Sequence, residues 1–442
     1  MKTAEDRNLH QRLAARLTAG VMTGAIVLSV GVASAEPIQI TLWHQEQVQA
    51  RVDQFQKVID AFNASQAEYQ VVQQVQSWGN IYQKLPPAIQ AGVQPDIDFT
   101  IPDFTVTIRE TGAVQPVDDI VAEIEKKHKF IDQALTPYRD EGKIWAVPVY
   151  GMVQVLWYRK DLFKAAGLDP ESPPKTWEEF LNAARTLTKN GKFGVGVPVS
   201  KSLATDQVLY SLMSVNGGTE LFDASGAVTF DTPKNVETVN FYKQLSELSP
   251  SGAASWTWPE PQDALNAGTV AMAIEKGQYL TPFEETSGQA ADQLGCAPIP
   301  VNAGGEEHSI YYSNAAMVLT SDPDKRKGAA AFLSFILEPA NYAEFLLAEP
   351  GLFLPLTVDG ASEAWTGSPI LSKYKGCVDL MIGMSKKGVL PGFNTGTVQK
   401  AIGPIMAQNL LSQVVQKVVV GGEDPQAAVT WGQEQMSAAA GQ

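Results

Sequence analysis

The stretch IQITLWHQE, residues 38–46, decides the fold class. Its apolar side chains alternate with polar ones as far as Trp43, a pattern typical of a β-strand that ends at a polar group. Residues 52–62 then place apolar side chains at three- and four-residue spacing, which indicates a helix, before a second strand predicted at Tyr69 to Val75. Strands that alternate with helices of this length predict parallel β-α-β units in an α/β fold.

The same alternation continues along the chain without an internal repeat or a low-complexity block. A second α/β layer is predicted to begin in the long apolar run from Trp145 to Phe163, and the last 50 residues are predicted to be helical. Two α/β lobes joined without a flexible linker are therefore expected. The further predicted elements are a helix at Tyr82 to Ala91 and strands at Ile97 to Ile101, Gly194 to Pro198 and Val270 to Ile274, with an amphipathic helix at Pro233 to Leu248.

The amino terminus predicts export. Three arginines in the first 16 residues precede the apolar segment 21–32, and Ala33-Ser34-Ala35 follows it as a cleavage site. We therefore predict a signal peptide over residues 1–35 and a soluble periplasmic protein, the alternative being an anchor helix that is left in place. The residue after the predicted cut is Glu36 and not cysteine, so a lipid anchor is not expected.

Composition narrows the class of partner. The formal net charge of −15 disfavours nucleic acid or an anionic membrane as a partner. Cys296 and Cys377 are the only cysteines, and they could form one bridge or remain two buried thiols. There is no P-loop, no H-E-x-x-H and no G-x-S-x-G, and the four histidines form no local cluster. No enzyme activity, cofactor or metal is expected.

Five motifs follow one another along the chain. They are LWYRKDLFKAAGL (156–168), PPKTWEEF (173–180), ALNAGTVAMAIEKGQY (264–279), GVLPGFN (388–394) and GGEDPQAAV (421–429). In this order and spacing, the chain resembles the extracellular solute-binding proteins of carbohydrate ABC importers, the group that contains maltose-binding protein, over essentially the whole predicted mature chain.

This resemblance implies a two-lobe periplasmic-binding-protein fold with hinged crossover strands. Lobe 1 would comprise residues 36–148 and 298–338, and lobe 2 residues 149–297 and 339–442, with hinges near Val149, Pro298 and Pro339. The implied function is to capture a sugar or oligosaccharide between the lobes and deliver it to permease subunits in the inner membrane. A monomer that performs no chemistry is expected.

Polar side chains that follow predicted strands are candidate ligand contacts, because ligands of open α/β sheets bind outside the carboxyl ends of the strands. His44, Gln45 and Glu46 follow the first strand, and Asp103 follows the third. Asp103 could instead be an ordinary N-cap of the next helix. Trp78, at a predicted helix start, is a further candidate, although it could equally be a hydrophobic staple.

Two tryptophans separated by one residue, Trp256 and Trp258, lie in a polar loop and not on a periodic apolar face. Indole rings pack well on the C–H faces of a sugar, so at least one is predicted to stack on the ligand, the alternative being a place in the core. The resemblance adds further candidates: Tyr150 and Gly151 at the first crossover, Gln278 and Tyr279 where family members often carry Trp, and Phe393 and Asn394 in a loop facing the opening.

Two alternative functions stay open. Glu46 and Asp103 could flank a glycosidic bond, which would make the chain an exported glycoside-acting enzyme. The ligand could also be a polyol, a glycerol-phosphate or an acidic sugar. The candidate contacts include no arginine and three acidic residues, the third being Glu260, which argues against an anionic ligand.

Overall fold

Two larger β-sheets flanked by helices, and a third sheet of only two short strands, organise the chain in this computed structural model, which describes residues 36–218, 220–394 and 396–442. The predicted signal peptide, residues 1–35, lies outside the described residues. Residues Pro37–Gln442 form one compact unit. In chain order the strands are β1 Ile38–His44, β2 Tyr69–Val75, β3 Ile97–Thr100, β4 Arg139–Asp140, β5 Lys143–Ile144, β6 Val147–Val153, β7 Val155–Arg159, β8 Met272–Glu275, β9 Leu294–Ala297, β10 Ser309–Val318 and β11 Gly388–Val389.

The first sheet has the strand order β11-β10-β3-β1-β2, and β6 also pairs with β10. Strand β1 is parallel to both β2 and β3, which confirms the predicted β-α-β units. Strand β10 is antiparallel to β3 and to β6. The carboxyl ends of β1 and β3 therefore meet at one edge of this sheet, as predicted.

The second sheet has the order β8-β7-β9, with both pairs antiparallel. The prediction of a regular strand at Gly194 to Pro198 is wrong: this segment makes a single isolated parallel bridge, which joins Gly196 to Ala273. A Cβ on Gly194 would lie 2.0 Å from the backbone oxygen of Ala184, so a helix crosses the segment closely. Pro198 has no N–H with which to extend the ladder.

The helices cover both sheets, and several begin with side chains that satisfy free N–H groups. Thr176 and Glu179 of the motif PPKTWEEF form a capping box at the start of α7. The helices are α1 Gln49–Ser65, α2 Ile81–Gln90, α3 Pro102–Arg109, α4 Asp118–Ile124, α5 Asp132–Leu135, α6 Lys160–Ala166, α7 Trp177–Leu187, α8 Leu203–Ser214, α9 Pro233–Glu247, α10 Pro259–Asn266, α11 Phe283–Ser287, α12 Pro323–Leu337, α13 Pro339–Leu346, α14 Glu363–Thr366, α15 Pro369–Lys373, α16 Lys375–Ser385, α17 Ile402–Ala407, α18 Leu410–Val419 and α19 Pro425–Ala439.

The chain passes between the sheets at two places. Strand β6 ends in the first sheet and β7 begins in the second, with Gln154 alone between them, so the predicted apolar run from Trp145 contains a crossing. Residues 298–308 make the return from β9 to β10. Helix α13 packs beside the first sheet, where Phe345 stacks on Phe55 of α1 with 4.9 Å between ring centroids. The residue ranges given above for the two lobes stay a prediction.

Cys296 and Cys377 form a disulfide with an S–S distance of 2.02 Å. Of the two alternatives left open by the sequence, the bridge is therefore the one that the structure has. It fastens α16 to β9, directly before the return crossing. Among the described helices, none combines the length and apolar character that a membrane span requires.

Candidate functional site

A cavity of about 190 Å³ lies between elements of the two sheets. It is close to the carboxyl end of β1, as the strand-end rule predicts, since Glu46 follows that strand directly. Other lining residues follow β3 and β8 or lie in β6 and β10. The lining residues are Glu46, Val48, Arg51, Trp78, Ile101, Met152, Leu203, Gln207, Trp258, Pro259, Gln262, Lys276, Gln278, Tyr312 and Leu352.

We call Glu46, Arg51 and Trp78 the first wall of the cavity. Glu46 is only 3% exposed, and its Oε2 accepts a hydrogen bond of 2.7 Å from Arg51 Nη1. Its Oε1 accepts from the hydroxyl of Tyr150 at 3.0 Å and from the indole N–H of Trp78 at 3.4 Å. Both oxygens of this carboxylate are therefore already engaged by protein donors.

Arg51 also donates from Nε to Glu349 Oε2 at 2.7 Å, so one guanidinium is held between two carboxylates. Burial acts to lower the pKa of Arg51, but Glu46 and Glu349 outweigh it and the pKa is raised. Burial raises the pKa of Glu349, and Arg51 acts against that rise. One positive charge between two carboxylates therefore leaves no excess positive charge at the first wall.

We call Trp258, Lys276 and Gln278 the second wall. Lys276 is 5% exposed, and its Nζ donates to Gln207 Oε1 at 2.6 Å and to Glu275 Oε1 at 3.1 Å. The same Nζ lies 5.8 Å from the centroid of the Trp258 ring, within range of a cation–π interaction. Because an ammonium group has three N–H donors, one is left without an acceptor among the described residues.

Gln278 presents an unmatched acceptor on the same wall. Its Oε1 is buried and has no hydrogen-bond partner in the described part of the chain. Its backbone oxygen accepts from Gln262 Nε2 at 2.9 Å, which fixes the backbone at this point. Buried polar atoms are nearly always paired, so an unpaired one on a residue that lines a cavity is a candidate partner for a ligand or water atom.

Four of the sequence-predicted residues line the cavity together: Glu46, Trp78, Trp258 and Gln278. Contact between ligand and any predicted residue stays a prediction. The other predicted residues do not line this cavity: His44, Gln45, Asp103, Tyr150, Gly151, Trp256, Tyr279, Phe393 and Asn394.

The predicted residues on the first-sheet side are held inside the protein. The ring of His44 packs edge-on against Phe55 at 4.8 Å, and burial lowers its pKa. Gln45 lies 3.4 Å from Asp98. Asp103 lies in the first turn of α3 and accepts a hydrogen bond from the hydroxyl of Tyr82, while burial raises its pKa to about 6.

At the first crossing, Tyr150 supports the first wall from behind. Its hydroxyl donates to Glu46, and its ring lies 3.9 Å from that of Phe353. Gly151 allows a close approach, because a Cβ there would come within 2.9 Å of Leu356 and of the Tyr311 hydroxyl.

On the second-sheet side, Tyr279 is fully buried and its ring stacks on that of Trp157 at 5.3 Å. Trp256 packs on Gly196, where a Cβ would lie 3.1 Å from the indole. Phe393 is buried, and Asn394 donates to the hydroxyl of Tyr210 at 2.7 Å.

The sequence reasoning missed Arg51, Gln207 and Lys276. The sequence contains a signal for Arg51, because a cation in the first turn of a helix interacts unfavourably with the helix dipole and therefore suggests a nearby acidic partner. Gln207 lies in α8, whose residues are all buried, so a polar side chain there also needs a partner. Lys276 directly follows the buried strand β8.

No group of three or more histidine, cysteine, aspartate or glutamate side chains able to hold a metal ion occurs among the described residues. The cavity lining instead combines two indoles and several aliphatic side chains with amides and paired charges. Such a lining can pack against apolar C–H surface and hydrogen-bond hydroxyl groups of one small ligand.

The chain matches the family model of the bacterial extracellular solute-binding proteins over residues 48–343. It is 34% identical over 164 residues to a probable amino-acid ABC transporter periplasmic-binding protein of Sinorhizobium fredii, a match that spans 37% of this chain and 38% of that relative. It is 28% identical over 340 residues to the sn-glycerol-3-phosphate-binding periplasmic protein of Shigella dysenteriae, covering 72% of this chain and 74% of the relative.

Among solved structures, the chain is similar to an ABC transporter solute-binding protein of Thermotoga lettingae bound with α-D-tagatose. The TM-score is 0.77 at 22% identity, and the match covers 91% of this chain and 100% of that one. This likeness confirms the predicted two-lobe fold. Together with the family match, it confirms the resemblance drawn from the sequence motifs: the chain belongs to the family of bacterial extracellular solute-binding proteins.

Proposed function

We propose that this protein captures a small neutral sugar or sugar alcohol in the cavity and delivers it to the permease of an ABC importer. The observation that carries the proposal is the lining itself: the Trp78 and Trp258 indoles stand beside uncharged amides and ion pairs that are already matched. Pyranose rings and alditols offer the complementary surface, with C–H faces for the indoles and hydroxyls for the polar groups.

The charges favour a neutral ligand over an anion. Arg51 is paired with Glu46 and Glu349, and Lys276 is paired with Glu275. Two cations against three carboxylates leave no excess positive charge for a phosphate or a carboxylate. Although one relative is named for binding sn-glycerol-3-phosphate, this arrangement argues against an anion of that kind here.

The cavity volume favours a ligand of about one ring. A cavity of about 190 Å³ is well above the ~10–15 Å³ that admits one water and is below the roughly 300–1,000 Å³ of pockets for drug-sized ligands. We therefore propose monosaccharides and pentitols or hexitols ahead of longer oligosaccharides.

The proposed mechanism is closure of two lobes over the ligand. The lobe ranges are those that the resemblance implies, 36–148 with 298–338 and 149–297 with 339–442. The crossing at Gln154 is a single residue, and residues 298–308 run directly from β9 to β10, which supports a hinge at each. Action in the periplasm as a monomer, after removal of residues 1–35, belongs to the same proposal.

The exported-enzyme alternative has less support. Glu46 is held by Arg51, Tyr150 and Trp78, and Asp103 does not line the cavity, so the two carboxylates predicted to flank a glycosidic bond do not face a common space there. Incubation with disaccharides and analysis for released monosaccharide tests this: turnover at an enzymatic rate would contradict the binding proposal.

A thermal-shift screen tests the proposed ligand class. The panel contains hexoses, pentoses, pentitols, hexitols, di- and trisaccharides, with sn-glycerol-3-phosphate and amino acids as charged arms. A ligand at 100 times its dissociation constant adds about 2.7 kcal/mol to the free energy of unfolding. We expect the largest shift from a neutral compound of one ring or its alditol; a shift from the phosphate alone, or none from any sugar or polyol, would contradict the proposal.

A further inference from the structure

The two walls differ in whether their hydrogen-bond acceptors are already engaged by the protein. On the first wall, Glu46 accepts from Arg51, Tyr150 and Trp78. A ligand hydroxyl could bond to this carboxylate only in addition to, or in place of, one of three protein donors. Glu46 therefore holds the Arg51 guanidinium and the Trp78 indole in position.

The second wall keeps one donor and one acceptor unmatched. Lys276 has an N–H beyond those given to Gln207 and Glu275, and Gln278 has a buried Oε1 without a partner among the described residues. Both side chains line the cavity and are two residues apart in the chain.

The backbone between these two residues is fixed by a close approach. A Cβ on Gly277 would lie 2.0 Å from the backbone oxygen of Gly351, so only glycine fits where the two segments meet. The turn Gly277–Tyr279 is also anchored by the Tyr279 ring, which stacks on Trp157. Lys276 and Gln278 are thus presented to the cavity from a rigid support.

We propose that Lys276 and Gln278 are the specificity-determining pair, and that they recognise two neighbouring hydroxyl groups of the ligand. Lys276 Nζ donates to the oxygen of one hydroxyl, and Gln278 Oε1 accepts the hydrogen of the next. The Trp258 ring beside Lys276 contacts the C–H face of the same sugar or alditol. This inference rests on the proposed function and assigns its selectivity to one wall.

The matched charge of Lys276 is consistent with a hydroxyl as its ligand. Glu275, 1% exposed, lies 3.1 Å from Nζ and neutralises it, so the remaining N–H is a directed donor and not an unpaired charge. Binding should accordingly depend little on ionic strength, because no net charge is neutralised when the ligand enters.

The test is calorimetric titration of wild type, Gln278→Met and Lys276→Met with the best neutral compound from the screen and with its monodeoxy analogues. Lys234→Met, a surface substitution of the same kind on α9, is the matched control. We expect each cavity variant to weaken binding of the full compound on the order of tenfold. Each variant should bind one of the monodeoxy analogues as tightly as it binds the full compound, because that analogue lacks the hydroxyl that the replaced side chain contacts. The hydroxyl identified in this way with Lys276→Met should be the neighbour of the one identified with Gln278→Met.

Gln278→Met also separates recognition from folding. It removes a buried atom without a partner, so its melting temperature should equal or exceed that of wild type while its affinity falls. Lys276→Met leaves Glu275 unpaired and can lower stability, which makes the Gln278 variant decisive. If wild type binds the compound and Gln278→Met binds within twofold, the pair assignment alone is wrong. If no sugar or polyol binds wild type, the proposed function is wrong and this inference falls with it.

Discussion

Each wall of the cavity contains an indole, a cation and a side chain with a hydrogen-bond acceptor. The walls differ in whether that acceptor is bonded to the protein. On the first wall, the carboxylate of Glu46 accepts hydrogen bonds from the Arg51 guanidinium, the Trp78 indole and the Tyr150 hydroxyl. On the second wall, Lys276 and Gln278 each keep a hydrogen-bonding position unmatched by the protein. The acceptors of the first wall are therefore engaged by protein donors, whereas the second wall offers a ligand an acceptor as well as a donor.

Both cations in the cavity lining are paired with carboxylates. The candidate contacts taken from the sequence contained no arginine, and the structure places Arg51 and Lys276 in the lining. Each cation nevertheless has carboxylate partners within 3.1 Å. The expectation of a neutral ligand therefore rests on pairing, and not on an absence of basic residues.

Removing the indole of the second wall should have the largest effect. Trp258→Ala should cost about 2–4 kcal/mol in binding, because it removes a large rigid contact surface from the cavity. Trp256→Ala is the matched control, since Trp256 packs on Gly196 and does not line the cavity. We expect it to lower the melting temperature and leave affinity, measured by calorimetry, within about twofold of wild type.

The opposite pattern would contradict the assignment of the stacking indole to the second wall. If Trp256→Ala loses affinity while Trp258→Ala only loses stability, the stacking surface lies outside this cavity. If neither substitution changes affinity, the ligand does not stack on this loop.

Disrupting the first wall should reduce stability. Glu46→Gln places an amide N–H₂ against Arg51, which then keeps only Glu349 as a carboxylate partner, and we expect a loss of about 2 kcal/mol in the free energy of unfolding. Urea denaturation measures it. The control is Glu123→Gln, in an exposed pair with Lys126, for which we expect less than about 0.5 kcal/mol. Equal effects would mean that the first wall is not a stabilising network.

A substitution of Asp103 measures how a buried polar atom without a partner, on the first-sheet side, affects the stability of the fold. Burial raises its pKa to about 6, and its Oδ1 has no partner among the described residues. Because the folded protein holds this proton more tightly than the unfolded chain, Asp103 destabilises the fold increasingly as pH rises from about 4 to about 6. Asp103→Asn should therefore gain stability relative to wild type, on the order of 2 kcal/mol, between pH 4 and pH 8.

Thermal unfolding of both proteins across this pH range measures the gain. Asp169→Asn is a control of opposite sign, because hydrogen bonds from the Glu171 backbone and from Ser172 lower the pKa of Asp169. A wild-type profile parallel to that of Asp103→Asn would mean that Asp103 does not titrate in this window.

Closure should bring the two walls together, and of the effects predicted here the accompanying decrease in overall dimensions should be the smallest. If the lobes hinge at Gln154 and 298–308, small-angle scattering should show a decrease in radius of gyration when the ligand saturates the protein. An unchanged scattering profile at saturation would indicate a preformed rigid pocket. The walls would then differ in bonding but not in motion.

Much of the fold was predictable because apolar periodicity fixes regular elements. Strand β2 has the predicted bounds Tyr69–Val75, and α9, Pro233–Glu247, ends one residue before the predicted end. The strand predicted at Gly194 to Pro198 was wrong because the geometry of this segment depends on a helix that crosses it at Ala184. The local sequence pattern contains no signal of that crossing.

The candidate site was predictable in residue type but not in side-chain direction. The sequence left open whether Gln278 or Tyr279 faces the ligand, and the structure places Tyr279 on Trp157 and Gln278 in the lining. Glu46 was predicted as a ligand contact, but Arg51, in the first turn of α1, donates a hydrogen bond to it. Such pairings depend on tertiary placement.

A crystal structure of the complex with the best neutral ligand tests the central claim most directly. We predict ligand oxygens at 2.7–3.2 Å from Lys276 Nζ and Gln278 Oε1, with the Trp258 ring along the C–H face. Glu46 should still be bonded to Arg51 and Tyr150. A ligand whose hydroxyls donate to Glu46, with Lys276 bonded only to Gln207 and Glu275, would contradict the account.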